Sequence, residues 1–555
     1  MLGVRLGLGR RCWTSISCLR RNLTSQSGVA PTAQREWKTG RIVLGTTGTL
    51  LLGAIGYDGV VNELENVQSA QRFLRSLAIG VCISADYTWS LWGLSDEDPK
   101  YELIMSQVHQ RAADRILNGC LVNGGLYIKM GQGVAAMNHI IPKEYVRTLK
   151  KLEDKCLPRK AGEVRKLFVE DFGKTPEEVF QTFEYEPIAA ASLAQVFLGT
   201  TKEGRKVAIK VQYADLRKRF DGDLRTILFL QDMLALMHKN YNFGWIIRDL
   251  QGTLREELDF THEGRNSERC AEDLKKHDSI YVPKVLWEYT NKRVLTAEFI
   301  DGCKINDSEG LKNLKVNLAK LDVNLFRAFA DQIFRTGFVH ADPHPGNVFV
   351  RRDPTSGRPQ LVLLDHGLYG KLTPEVRANL CRFWEAIVLK DHAEMAKIAR
   401  ALNVQDYRTF AEILLQRPLE LKGSKLTTRL SEDDLDYMTR QAKEHFDKVM
   451  QTLRSMPRNL IFVLRNLNTI RAIAREHGDP VDRPKVMARC AIAALRQTNR
   501  GITGFFRSIF RRINFEYQLW KCSFQFWLVS SYLKLLTRLG RSPDTSHLLD
   551  VQVEV

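Results

Sequence analysis

Two aspartates and an amide stand at spacings that suit phosphoryl transfer. In the stretch GFVHADPHPGN, Gly337 to Asn347, Asp342 follows His340 by two residues and precedes Asn347 by five. In LVLLDHG, Leu361 to Gly367, Asp365 closes an apolar run that reads as a buried strand, just before Gly367. Moving a γ-phosphoryl group asks a protein for little covalent chemistry, so such a site must supply metal ligands, an orienting or basic carboxylate and fixed geometry. Mg²⁺ takes hard oxygen ligands, and one carboxylate, one amide oxygen and phosphate oxygens suit it. On that logic Asp365 and Asn347 hold the metal, and Asp342 faces an acceptor hydroxyl or a water.

Elements must position these groups. KVAIKVQ, Lys206 to Gln212, alternates strictly, with Val207, Ile209 and Val211 on one face of a strand and Lys210 on the other. A lysine centred on the open face of such a strand is a candidate phosphate ligand. SLAQVFLG, Ser192 to Gly199, reads as the preceding hairpin strand, and TKEGRK as the turn between them. A single helical stretch runs from Trp245 to about Arg269 and carries EELDFTHEGRN. VPKVLWEYTNKRVLTAEFIDG reads as two strands around Thr290 to Lys292, ending in a linker at Phe299 to Gly302. From Asn306 to about Arg500 the chain reads as helical apart from the two site stretches. Upstream, Ile104, Val108, Ala112 and Ile116 recur every four residues, the pattern of an amphipathic helix that breaks near Asn123, Gly124 and Gly125.

A β-rich part with a strand lysine, a helix with acids, a linker and a helical part with paired aspartates is the order of a bilobal protein kinase. Two ordinary kinase features differ here. The place of a G-x-G-x-x-G loop is taken by Ala189, Ala190, Ala191 and Ser192, and the base motif is HADPHPGN. With Lys129-Met130-Gly131-Gln132 upstream and Glu257-Leu258-Asp259 on the helix, the chain closely resembles the UbiB-type aarF-domain atypical kinases over roughly Tyr101 to Arg500. That resemblance implies an α+β, bilobal, kinase-like fold with ATP and Mg²⁺ as cofactors. It implies that Lys210 holds the nucleotide phosphates with Glu263 as its partner, and that Ala189 to Ser192, Glu298 and Ile300 also line the nucleotide. It further implies that Lys129 and Gln132 lie over the region where a peptide acceptor would enter, with Glu257 as the partner of Lys129; Glu256 and Asp259 are alternatives. On a straight helix Glu257 and Glu263 stand about 240° apart, so they need not serve the same lysine. His340 and His344 read as structural.

Alanines restrict the close approach and positive φ that glycines allow, so this loop should position phosphates differently from an ordinary kinase. Together with the K-x-G-Q motif, that makes ATP binding better founded than protein phosphorylation. The expected activity is an ATPase or a kinase for a lipid or isoprenoid, as the family's link to coenzyme Q metabolism implies. The alternative is a nucleotide-gated scaffold with protein partners, and an ordinary Ser/Thr protein kinase comes last.

At 555 residues the chain is too long for one core, so two lobes with appendages are expected. The ten cysteines are scattered with no C-x-x-C pair, which speaks against a zinc site or disulfide framework and for a reducing compartment. The first 35 residues hold six arginines, several Ser and Thr and no acid, the composition of a mitochondrial transit peptide. Residues 42–57, IVLGTTGTLLLGAIGY, are uncharged; at about 24 Å as a helix they make either a short membrane span or a surface anchor. Between Ala491 and Arg541 nine Arg and Lys face a single acid, Glu516, among many aromatics. This tail suits an anionic mitochondrial membrane face, or equally a helix packed on the body with a solvated basic side. With no recognisable RNA-binding fold beside it, the charge does not point to nucleic acid. The expected layout is a transit peptide in 1–40, an anchor and linker in 41–100, the helical extension in 101–180, an N-lobe in 181–302, a C-lobe in 303–500 and the basic helical tail in 501–555. The expected location is the mitochondrial inner membrane, single-pass or peripheral.

Overall fold

The computed structural model describes residues 65–532, apart from 96–97, 136–140, 153–160, 191–192, 238–243, 417–418, 420–445, 458, 499–508, 522–523, 525–526 and 529–530. The expected transit peptide, the apolar run 42–57, Ala191 and Ser192 lie outside the described residues. Met1–Gln71 forms one unit, of which only the start of helix α1 (Glu65–Ser90) is described, and Arg72–Val555 forms the other.

The second unit opens with helices. α2 (Tyr101–Asn123) buries Val108, Ala112 and Ala113, the positions its periodicity picks out. It stops at Gly124 and Gly125, both with positive φ, and a Cβ on Gly125 would meet Arg219 Nη2 at 2.5 Å. Only glycine fits that turn. The turn starts α3 (Leu126–Ala135), which carries the K-x-G-Q residues, and α4 (Lys143–Leu149) packs beside α2 and α3.

An antiparallel sheet of five strands follows: β1 (Thr182–Phe183), β2 (Ala189–Ala190), β3 (Ala194–Thr200), β4 (Lys206–Gln212) and β6 (Val294–Glu298), in the order β1-β3-β4-β6 with β2 on β3. Val207, Ile209 and Val211 are buried beneath a cluster of aromatic rings that includes Phe168, Phe180 and Phe197, so the alternation of β4 divides its faces as expected. Helix α5 (Leu216–Met237) is tied to α1 by the buried Arg72–Asp223 ion pair at 2.8 Å.

Two expectations fail here. The stretch from Trp245 to Arg269 is two helices, Gly244–Glu256 and α6 (Phe260–Leu274), separated by Glu257-Leu258-Asp259. Asp259 has extended backbone (φ −118°) and accepts a hydrogen bond from Thr261 N at 3.0 Å, which caps a new helix rather than continuing the old one. The expected hairpin before β6 is also reduced. Val285 makes a single bridge to Ala297, while Ile280–Tyr281 forms β5 and pairs in parallel with β10 of the other lobe.

That second sheet runs β5-β10-β9-β7, with β7 at Cys303–Lys304, β9 at Val348–Arg352 and β10 at Pro359–Leu363. A two-stranded ribbon joins β8 (Phe338–His340) to β11 (Tyr369–Lys371). Around them pack α7 (Leu318–Ala330), α8 (Pro374–Leu389), α9 (Leu460–Glu476) and α10 (Arg483–Thr498), over a core that holds Phe326, Phe329, Phe383, Trp384 and Phe410. The fold is α+β and bilobal, of the kinase type.

Residues 509–521 of the tail are helical. Phe515 and Leu519 join the C-lobe core, and Arg511 pairs with Glu385. The opposite side exposes Phe510, Ile513, Tyr517 and Trp520, with Tyr517, Trp520, Phe524 and Trp527 stacked ring on ring. The tail is thus packed on the body, but its outward face is aromatic rather than a plain basic one. Among the described residues no helix is long and apolar enough to cross a membrane.

Candidate functional site

Lys210 projects from the open face of β4, in a row with Ala189, Val196 and Leu295 set by strand register. Its ammonium lies 2.7 Å from Glu263 Oε1 and 3.0 Å from Asp365 Oδ2, above the Phe260 ring at 5.3 Å. Glu263 sits in the first turn of α6, so the break at Asp259 aims it. Burial opposes charge on Lys210, but Asp365 and Glu263 outweigh it and hold the ammonium well above the ordinary lysine range. Burial also works against the Asp365 carboxylate; the lysines Lys210 and Lys129 and the Gly367 N–H, which donates to Oδ1 at 2.9 Å, bring it well below the usual range. Glu263 moves the other way, raised by burial and by the nearby Asp365 charge in spite of Lys210. One cation between two carboxylates leaves the more buried acid under-neutralised.

The catalytic-type loop is held by histidines. His340 accepts from Asp342 N at Nδ1 (3.1 Å), which leaves Nε2–H to donate to Asp365 O at 2.8 Å. One neutral imidazole therefore ties the two aspartate segments together, and burial keeps it neutral by lowering its pKa. Leu364 N donates to Asn347 O at 2.9 Å, so Asn347 and Asp365 rise from adjoining chain positions. His344 caps the short turn Pro345–Asn347 by accepting from Gly346 N. His366 donates to Leu363 O and accepts from the Tyr369 hydroxyl at 2.8 Å; burial lowers its pKa to about 3.

Asp342 has a partner that no motif announces. Arg465 Nη2, from α9, lies 3.3 Å from Asp342 Oδ2, and the neighbouring Asn466 donates to His340 O at 2.7 Å. Burial would raise the Asp342 pKa, but Arg465 and Lys129 override it and lower it. The Asp342 and Asp365 side chains are each 32% exposed, so both are reachable from solvent.

The extension closes the site from one side. Lys129 lies 3.0 Å from the buried Glu257, while Glu256 is exposed and Asp259 is spent on its cap. Glu257, Glu263 and Asp365 all crowd Gly367, where an added Cβ would lie within 4 Å of each. Gln132, predicted to lie over the acceptor region, donates to Leu152 O at 3.0 Å. Gly131 packs so tightly on Leu152 that a Cβ would meet its Cδ1 at 2.3 Å.

Ala189 and Ala190 form the edge strand β2, antiparallel to β3. Glu298 ends β6, its carboxylate engaged by Tyr281 and, at 3.9 Å, by Arg351. Ile300 is buried two residues on, where the chain leaves the sheet. The structure thus brings together Lys210, Glu263, Asp365, Asp342, Lys129 and Glu257, and leaves Gln132 and Asp259 facing backbone. The helix separating Glu257 from Glu263 is broken, so the two acids reach one site by a turn rather than by helix rotation.

Compared with known proteins, residues 151–399 match the family model described as the ABC1 atypical kinase-like domain. The probable serine/threonine-protein kinase abkD of Dictyostelium discoideum is 38% identical over 473 residues, which cover 84% of this chain and 68% of that protein. The AarF domain-containing protein kinase 1 of Gallus gallus is 33% identical over 449 residues, 79% of this chain and 85% of that protein. Among solved structures, the Rv3197–erythromycin complex from Mycobacterium tuberculosis is similar at a TM-score of 0.40 and 20% identity, covering 68% of this chain and 97% of that one.

Proposed function

The chain belongs to the ABC1 (AarF-domain) atypical kinase family and is a phosphotransferase of that class, and we propose that it binds Mg-ATP and acts on a lipid or isoprenoid small molecule, as a kinase or ATPase of a mitochondrial membrane. One observation carries this reading: the Lys210 ammonium sits between Glu263 and Asp365, with Asp342 on a loop bonded to the same Asp365 segment. Lys210 binds phosphate oxygens, Glu263 orients it, and Asp342 orients the acceptor. The donor set of Asp365 and Asn347, one carboxylate and one amide oxygen, suits Mg²⁺ that arrives with phosphate oxygens; bound there, Mg-ATP supplies the transferable phosphoryl group and the charge neutralisation its transfer needs. Among the described residues no cluster of three or more His, Cys, Asp or Glu could hold a metal without such help.

The aromatic outer face of the tail supports membrane contact, since ring-rich amphipathic surfaces settle at the lipid interface. The acidless N-terminus supports mitochondrial import, and the family resemblance supports a process linked to coenzyme Q. Within the family, AAAS, NGGLYIKMGQG and LDHGLYG look most like the fifth vertebrate aarF-domain kinase, with the first as nearest competitor.

A second reading, a nucleotide-gated scaffold for protein partners, is favoured by the Lys129–Glu257 and Arg465–Asp342 pairs, which occupy charges that turnover would use. Phosphate release from ATP by the purified chain with Mg²⁺, with and without anionic liposomes, beside Asp365→Asn, tests the first. Turnover that vanishes in the variant is expected. ATP binding without any turnover would favour the scaffold, for which Asp342→Asn keeps cellular function and Lys210→Ala does not.

A further inference from the structure

Beside the catalytic-type loop lies a cleft of about 270 Å³ whose walls are cationic. Arg147, Lys150 and Lys151 come from α4 and the turn after it, and Lys304 and Asn306 from β7 and just beyond. The floor is the turn His344–Gly346, inside the segment that joins Asp342 to Asn347. Among the described residues Lys150 pairs with Glu476 at 3.4 Å, and both side chains are more than a third exposed, so that contact is weak. Arg147, Lys150 and Lys151 gather on one side of this small floor and Lys304, which has a partner of its own, on the other, and so many cations raise the local potential for anions. The volume falls just short of the roughly 300 Å³ at which pockets for whole drug-sized ligands begin, so the cleft fits a charged head rather than an entire molecule.

Its position ties it to the chemistry. His344 to Gly346 lie two to four residues from Asp342, within about 14 Å even along an extended chain. The cationic turn is also coupled to the K-x-G-Q helix, because Gln132 holds Leu152 O and Gly131 packs on the Leu152 side chain. One end of that motif pairs Lys129 with Glu257 inside the site; the other end sets the wall of the cleft.

We propose that this cleft binds the phosphate-bearing end of the acceptor, so that the substrate of this phosphotransferase is itself a phosphomonoester or diphosphate. The assignment rests on the phosphotransfer reading above for the acceptor's role, while anion binding is measured apart from it. In the transfer the acceptor hydroxyl oxygen forms the new bond to the γ-phosphorus. The bond from that phosphorus to the β,γ-bridging oxygen breaks with its electron pair leaving on ADP, and the hydroxyl proton passes to Asp342. Gln132 is a positioning residue in this scheme.

The test uses the full chain in detergent, saturated with Mg-ADP so that the nucleotide site is filled, and titrated calorimetrically with inorganic pyrophosphate. Co-flotation with phosphatidylcholine vesicles, with and without phosphatidic acid, provides the lipid arm. Pyrophosphate binding that weakens by about tenfold or more in K151E/K304E, with ADP affinity within about twofold of wild type, is expected. Lys151→Gln, which removes one charge and adds none, gives an intermediate loss and keeps the result independent of misfolding. Binding confined to phosphatidic-acid vesicles, with the same loss, assigns the phosphate to a lipid head group. Pyrophosphate and vesicle binding that are both absent, or both unchanged in K151E/K304E, overturn the proposal. ADP binding in the same titration reports separately on the nucleotide site: its failure there would sink the Mg-ATP reading and leave the charge-reversal result to decide the cleft.

Discussion

Arg465 Nη2 stands 3.3 Å from Asp342 Oδ2, so the carboxylate proposed to meet an acceptor is paired with an arginine 123 residues further along the chain. The pair joins the catalytic-type loop to α9, beyond the residues that match the family model.

The first prediction follows from that contact. Arg465 is the leading cause of the lowered Asp342 pKa once burial is set against it. In Arg465→Met the Asp342 pKa rises, and the acid limb of the pH profile of ATP turnover moves to higher pH. An acid limb left in place in the variant would show that another group sets it.

The Lys129–Glu257 pair should behave as a buried ion pair. Lys129→Met strands the Glu257 charge and destabilises the protein by about 3 kcal/mol, whereas Lys129→Met with Glu257→Leu recovers most of the loss. Urea unfolding of the four proteins of the cycle measures it; additive losses in the double variant would show that the pair is not coupled.

Asp259 and Glu257 are separable. Asp259→Ala removes the cap on α6 and costs about 1 kcal/mol, and Asp259→Asn keeps most of it. Because the cap sets where Glu263 points, Asp259→Ala also weakens nucleotide affinity, read by fluorescent ATP analogue titration, while Asp259→Asn leaves it near wild type.

His366 gives the stability a pH dependence of known sign. Its folded pKa is depressed to about 3, against 6.5 ordinarily, so the unfolded chain takes up a proton that the folded chain refuses. The stabilisation is whole above pH 6.5 and is lost as pH falls toward 3, at about 1.4 kcal/mol per pH unit. His366→Gln is less stable at pH 7 and shows a shallower decline between pH 6.5 and 4 in chemical denaturation. An unchanged slope would place the titration elsewhere.

Much of this was legible because the signals are local. The alternation of KVAIKVQ separates the face of Lys210 from that of Val207, Ile209 and Val211, and the structure buries the latter three. Asp342, Asn347 and Asp365 sit at short spacings on segments whose strands are marked by apolar runs. What escaped depends on contacts distant in sequence. LREELDF has good helix formers on both sides, and only the cap at Asp259 interrupts it. Val282 to Leu286 has the composition of a strand, but the 3₁₀ turn Trp287–Tyr289 and the parallel pairing of β5 with β10 take the edge that a hairpin would use. Arg465 stands in an ordinary amphipathic helix, and nothing in IFVLRNLN separates it from the other arginines of this basic chain.

The three pairs, Lys210 with Asp365, Lys129 with Glu257 and Arg465 with Asp342, make the resting site its own electrolyte. Each of these three carboxylates already carries a tethered counter-ion, so a lone divalent cation entering at Asp365 would have to displace the Lys210 ammonium and leave it to Glu263 alone. A cation escorted by a polyphosphate meets no such obstacle, because the anion receives the ammonium that the metal releases from Asp365. On the Mg-ATP reading proposed above, the site would favour the complex over either component, through a swap of partners around one lysine.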